Sequence, residues 1–164
     1  MSLAEFGSSH VGPSFEENII YSSPDLLGRS SIVRIRVVDG TSLMTFKRRL
    51  ESRSDVKEQI EYETEVANVA ETQSILEELG LSPRVIYEKR RDTWRLRSAE
   101  VVLDELPFGN FMEIEGTVSS IREVEMLLGI EDVAVELETY PRLTARLGVD
   151  VNGVVEARFN AAAS

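Results

Sequence analysis

Alternation at period two, with one sign of charge on each charged run, is the feature that most narrows what this chain can fold into. In Ile32-Val33-Arg34-Ile35-Arg36-Val37, Arg34 and Arg36 fall on one side of an extended segment and Val33, Ile35 and Val37 on the other. Asp39-Gly40 then gives a hairpin turn. The return, Leu43 to Arg49, sets Met44 and Phe46 against Thr45, Lys47 and Arg49. After a polar loop, Gln59 to Val66 sets Ile60 and Tyr62 against Glu61, Glu63 and Glu65. Further on, Val85 to Trp94 places Tyr87, Lys89 and Arg91 on one side, and in Phe111 to Glu115 the residues Met112 and Ile114 oppose Glu113 and Glu115. With Glu100 to Glu105 between these last two and a Pro107 to Asn110 turn, the expected class is α+β, an antiparallel sheet with one apolar and one charged face.

Helical spacing interrupts the strands at few places. Asn68 can cap a helix carrying Val69, Ile75, Leu76 and Leu79, closed by Gly80 and Pro83. Two more helices are expected, from Ser120 to Leu128 before Gly129 and from Pro141 to Leu147 before Gly148. Phe15 to Tyr21 reads as a first strand, ended by a turn at Ser22-Ser23-Pro24-Asp25. Residues 1–14 are small, polar and aperiodic, so they read as a flexible leader, with one domain over 15–159 and a frayed tail at 160–164.

The composition removes several kinds of chemistry. The 164 residues contain no cysteine and one histidine, His10, which leaves no thiolate nucleophile, no disulfide and no cysteine metal site. A metal would have to be held by oxygen, which favours magnesium, manganese or calcium. The net charge of -11 opposes nucleic acids and anionic membranes. It does not oppose a small anion held in a local pocket of bases. No run of apolar residues is long enough for a membrane helix and the start lacks the pattern of a secretory signal, so a cytoplasmic location is expected.

A solvated face would explain any one of the alternations, since an antiparallel sheet with one side in water has this pattern. The set asks for more. Like charges two residues apart repel mildly, and they gain nothing unless opposite charges or a ligand compensate them. Paired carboxylates suit an oxygen-only metal site, and clustered Arg and Lys suit a polyphosphate. One face that carries both describes a site for a metal-complexed triphosphate.

Taken in order, these segments resemble the CYTH domain family, shared by class IV adenylyl cyclases, thiamine triphosphatases and inorganic triphosphatases. The resemblance runs from about Phe15 to Leu147. Tyr21-Ser22-Ser23-Pro24-Asp25 is similar to the family's Tyr-Asp-Thr-Pro segment, Val33-Arg34-Ile35-Arg36 to its Leu-Arg-x-Arg strand and Met44-Thr45-Phe46-Lys47 to its Leu-Thr-x-Lys strand. Glu61-Tyr62-Glu63 matches the acidic strand, Glu88-Lys89-Arg90-Arg91 the Glu-Lys-x-Arg strand, Leu103-Asp104 the next one, and Gly109-Asn110-Phe111-Met112-Glu113-Ile114-Glu115 the Gly-x-Phe-x-Glu-x-Glu strand. The resemblance implies an antiparallel β-tunnel with a charged interior and flanking helices. Arg34, Arg36, Lys47, Lys89 and Arg91 would bind the triphosphate, with Lys89, Arg91 and Asp104 the catalytic set. Glu61, Glu63, Glu113 and Glu115 would serve Mg2+ or Mn2+.

It also implies the substrates: ATP or another nucleoside triphosphate, thiamine triphosphate or inorganic triphosphate, with cyclase and triphosphatase chemistry both open. The alternative is a binding module with impaired catalysis. Two departures bear on this. Residues 1–14 contain no counterpart of the family's opening Glu-x-Glu-x-Lys strand, which supplies metal-binding acids and closes the tunnel, and Ser22 stands where the family usually has Asp. An open sheet with unpaired edges is therefore expected, and edge-to-edge pairing of two copies as a homodimer.

Overall fold

Each alternating segment becomes a strand, and among the described residues the strands join in one sheet of nine. The computed structural model describes residues 3–50 and 59–160. In chain order the strands are β1 (Ser9–Ser22), β2 (Ser31–Val38), β3 (Thr41–Arg49), β4 (Gln59–Glu65), β5 (Ser82–Leu96), β6 (Ala99–Leu106), β7 (Gly109–Glu115), β8 (Val149–Val151) and β9 (Val154–Ala157). The helices are α1 (Pro24–Gly28), α2 (Val69–Glu78), α3 (Val118–Leu128) and α4 (Tyr140–Leu147). The main path runs β4-β3-β2-β1-β5-β6-β7, antiparallel throughout, so β1 is its middle strand. β9 adds to β5 in parallel and carries β8. Among the described residues, β4 and β7 each pair on one side only, and the path stays open there, as expected from the sequence.

The outer, apolar face is covered by helices. Ile19, Tyr21, Ile35 and Leu76 form one cluster, which joins β1 and β2 to α2. Leu96, Ala99, Val101, Val124 and Leu128 form another, which joins β5 and β6 to α3. Asn68 caps α2 by accepting from the Glu71 amide, and Gly129 ends α3 in the left-handed conformation, both as the sequence suggests. At one end of the opposite face, Ile20, Val85, Tyr87, Leu106 and Ala157 pack with Phe111 and Tyr140, so α4 closes that end.

The segment 1–14 departs from the expected flexible leader. Leu3–Phe6 forms a 3-10 turn, and β1 begins at Ser9, well before Phe15. Gly12 and Pro13 are poor strand residues, yet both are accommodated. Among the described residues β1 meets β2 only from Glu16 onward, so Pro13 lies where the strand pairs on one side alone, a position that tolerates proline. Gly12, at φ 135, absorbs a register shift in the pairing with β5. His10 anchors this end, 2.5 Å from Asp92 and packed on Trp94. The Ser22 to Asp25 turn extends into the short helix α1, capped by Ser23, and β8 and β9 were not expected from the sequence. Residues 51–58 and 161–164, which include most of the loop before β4 and of the frayed tail, lie outside the described residues. Among the described residues, no helix is long and apolar enough to cross a membrane.

Candidate functional site

The ten charged residues assigned to the site from the sequence lie on the face opposite α2 and α3. On a flat sheet this face would be bathed in water. Instead Glu16, Lys89 and Asp104 keep only 3%, 4% and 2% of their surface, so the face curls around its own side chains. The strand register then decides which charges meet.

On the β2 side, Arg34 stands opposite Thr45, Thr45 opposite Glu63, and Lys47 opposite Glu61. The Thr45 hydroxyl donates to Glu63 at 2.8 Å, Arg36 donates to the same carboxylate at 3.2 Å, and Arg34 donates to Thr45 at 3.2 Å. Lys47 lies 3.0 Å from Glu61. On the β5 side, Arg91 stands opposite Asp104 and grips it with two parallel bonds, of 2.8 and 2.7 Å. The same guanidinium reaches Glu113 at 2.9 Å and Glu115 at 3.7 Å. Between the two groups, Lys89 sits 3.3 Å from Glu16 and 3.5 Å from Asp104. The Tyr140 hydroxyl, from α4, donates to Asp104 at 2.9 Å.

Burial and charge pull these groups in opposite directions. Burial works to raise the Glu16 carboxyl, but Lys89, Arg91 and Arg36 outweigh it and hold the carboxyl below its ordinary value. Asp104 is likewise lowered against its burial, chiefly by the Arg91 hydrogen bonds and then by Lys89. Burial is the largest influence on Lys89 and prevails over Glu16 and Asp104, so this ammonium loses its proton more readily than an exposed lysine. Lys47 is lowered by burial and by Arg34. Burial first, and then the Glu16 and Glu113 carboxylates, push the Tyr87 phenol up to about 12 against the pull of Arg34.

Not all the expected site residues come together. Glu61 and Glu63 lie on β4 and Glu113 and Glu115 on β7, at opposite ends of the strand path. Among the described residues no three acidic or histidine side chains converge as a caged metal requires. The donor chemistry still fits magnesium or manganese, which are commonly held by one or two carboxylates together with substrate phosphates and water. Either glutamate pair could supply those carboxylates.

Sequence reasoning missed three residues that shape this face. Glu16 and Asn18 project from the middle strand into the centre of the charges, Glu16 opposite Lys89 and Asn18 opposite Arg36. The signal was present, because Glu16 and Asn18 alternate with Glu17 and Ile19 at the same period as the other strands. Tyr140 had no such signal: it opens a helix 36 residues beyond Asp104, and only the folded chain brings the two together.

No curated protein matches this chain. Among solved structures, the PH1012 protein of Pyrococcus horikoshii superimposes with a TM-score of 0.76 at 24% identity, over 86% of this chain and 88% of its own. A conserved hypothetical protein of Pyrococcus furiosus gives 0.74 at 23% identity, over 86% and 89%. HpAC1 of Hippeastrum, a candidate adenylyl cyclase described as having a dominant triphosphatase activity, gives 0.62 at 21% identity, over 84% and 83%. The CYTH domain family matches residues 1–139, from the start of the chain past the last strand of the main path. With that match and a fold shared over most of its length, the chain belongs to the CYTH domain family.

Proposed function

We propose that the curled charged face binds a metal-complexed triphosphate and that the protein acts on it as a CYTH-type triphosphatase or adenylyl cyclase. The observation that carries this reading is the row formed by Arg34, Arg36, Lys47, Lys89 and Arg91, held on one face by carboxylates that surround them. Fixed guanidinium groups suit phosphate oxygens, and a half-buried position strengthens each contact relative to water. Membership of the CYTH family supports the same chemistry.

In this reading Arg34, Arg36 and Lys47 hold one part of the phosphate chain and Lys89 and Arg91 the other, with Asp104 orienting both of the latter. Glu61, Glu63, Glu113 and Glu115 are the residues available to Mg2+ or Mn2+, which would neutralise phosphate charge. The chain's own groups act by positioning and by charge, without a protein nucleophile. Two attacks fit the cradle. In hydrolysis, water oxygen bonds to the terminal phosphorus while the bridging P–O bond breaks. In cyclisation, the ribose 3′ oxygen attacks the α phosphorus and pyrophosphate leaves.

A second reading, a binding module with impaired catalysis, is favoured by the separation of the two glutamate pairs on β4 and β7. The purified protein should be given ATP, thiamine triphosphate and inorganic triphosphate with Mg2+ or Mn2+. Turnover of any of them supports the enzyme. Calorimetric binding without turnover selects the module, and no binding at moderate salt sinks both. If Glu113 and Glu115 serve the metal, Glu113→Gln or Glu115→Gln raises the metal concentration needed for half-maximal activity or binding, and an unchanged requirement removes them from that role.

A further inference from the structure

The carboxylates of the charged face fall into two classes. Glu61, Glu63, Glu113 and Glu115 have side chains 34% to 56% exposed and can turn towards water or a metal. The side chains of Glu16 and Asp104, 4% and 0% exposed, are fixed. Asp104 is clamped by Arg91 and Tyr140. Glu16 is different, because it lies on the middle strand with a phosphate-binding candidate on each side: Lys89 of β5 at 3.3 Å and Arg36 of β2 at 3.9 Å. Its side chain accepts a long hydrogen bond from the Asn18 amide, at 3.4 Å. A neutral side chain of the same shape would fill the space equally well. The carboxylate adds a fixed negative charge beneath the cations that are to hold an anion.

We propose that Glu16 is a positioning residue that limits the phosphate affinity of the cradle, an internal counter-ion with which a bound polyphosphate must share Lys89 and Arg36. This rests on the reading of the face as a triphosphate site. Without ligand, Glu16 holds both cations in place and offsets their mutual repulsion. With ligand, it cannot swing away, so phosphate oxygens on Lys89 and Arg36 meet a negative charge within a few ångströms in a medium that screens poorly. The cost falls on every bound phosphate, which eases the release of product as well as weakening the hold on substrate.

The test is the affinity of wild type, Glu16→Gln and Glu16→Asp for inorganic triphosphate and pyrophosphate, by calorimetry with and without Mg2+. Glu16→Gln should bind about tenfold more tightly or better, the effect of one buried charge removed from the neighbourhood of an anion. Glu16→Asp keeps the charge and should stay near wild type. A purely structural role would lower the melting temperature of both variants and leave affinity unmoved. Folded Glu16→Gln with unchanged or weaker affinity overturns the proposal. If wild type fails to bind and Glu16→Gln binds, the proposal stands and the reading of the wild-type face as a working triphosphate site falls; if neither binds, both fall. Should Glu16→Gln not fold, Asn18→Asp adds a second fixed charge on the same strand and should weaken binding about tenfold, and unaltered affinity there would overturn the proposal instead.

Discussion

At the scale of single residues, the charges of this face are matched so closely that removing one leaves another exposed. Asp104 is the clearest case, since Arg91, Lys89 and Tyr140 all meet on its carboxylate. Asp104→Asn should therefore cost about 3 to 5 kcal/mol at neutral pH, the range for breaking a buried ion pair from one side. Urea unfolding would measure it. The pH dependence has a defined sign. Glu16 and Asp104 are held below their ordinary values of 4.5 and 3.8, so their contribution is complete above those values and is lost as pH falls through the folded ones. Lys89 behaves oppositely: its folded value lies below the ordinary 10.5, so the unfolded chain binds the extra proton in between and stability gains from this residue as pH rises through that window. In Asp104→Asn the acid-side loss should be shallower, and an unaltered acid profile would show that the Arg91 grip contributes nothing to folding.

At the scale of elements, what could be read from the sequence depended on whether the governing contact was local. The strands carrying Arg34 and Arg36, Lys47, Glu61 and Glu63, Lys89 and Arg91, and Glu113 and Glu115 were legible because period two is set within a few residues. So were α2 and α3, each with its own capping residue. β1 before Phe15 was not legible, because Gly12 and Pro13 are poor strand residues and are tolerated only where β2 does not reach. β9 was not either, since it is fixed by its parallel pairing to β5 from far along the chain. The junction that places Tyr140 has the same non-local character. Gly148 ends α4 against β9, and a Cβ there would stand 2.7 Å from the backbone oxygens of Thr144 and Glu156. Gly148→Ala must push α4 away from β9, which should destabilise the fold by roughly 1 to 3 kcal/mol. It should also loosen the Tyr140 hydrogen bond to Asp104. Thermal unfolding together with triphosphate titration would check both effects, and a variant with wild-type stability would mean that the junction yields freely.

At the scale of the whole molecule, the path of described strands is open at β4 and β7, whose backbones can accept another strand. β4 is the better edge for self-association. Beside it on the outer face runs a groove of about 550 Å³ lined by Val33, Met44, Phe46, Tyr62, Leu76 and Leu79, and Tyr62 and Leu79 are 68% and 70% exposed. A symmetric antiparallel pairing centred on Tyr62 would stack the two tyrosines over joined apolar grooves. It would also set Glu61 of one copy against Glu63 of the other. That repulsion is reduced, because Lys47 and Arg36 already pair these acids within each copy, but the net charge of -11 adds to it. We therefore predict a β4-mediated homodimer that tightens as salt or Mg2+ screens the acids. Sedimentation velocity across a salt series is the direct measurement, with Tyr62→Lys as the variant that should return the protein to monomer. A wild type that stays monomeric at micromolar concentration in both low and high salt, or a dimer that loosens as salt is added, would refute pairing through this edge.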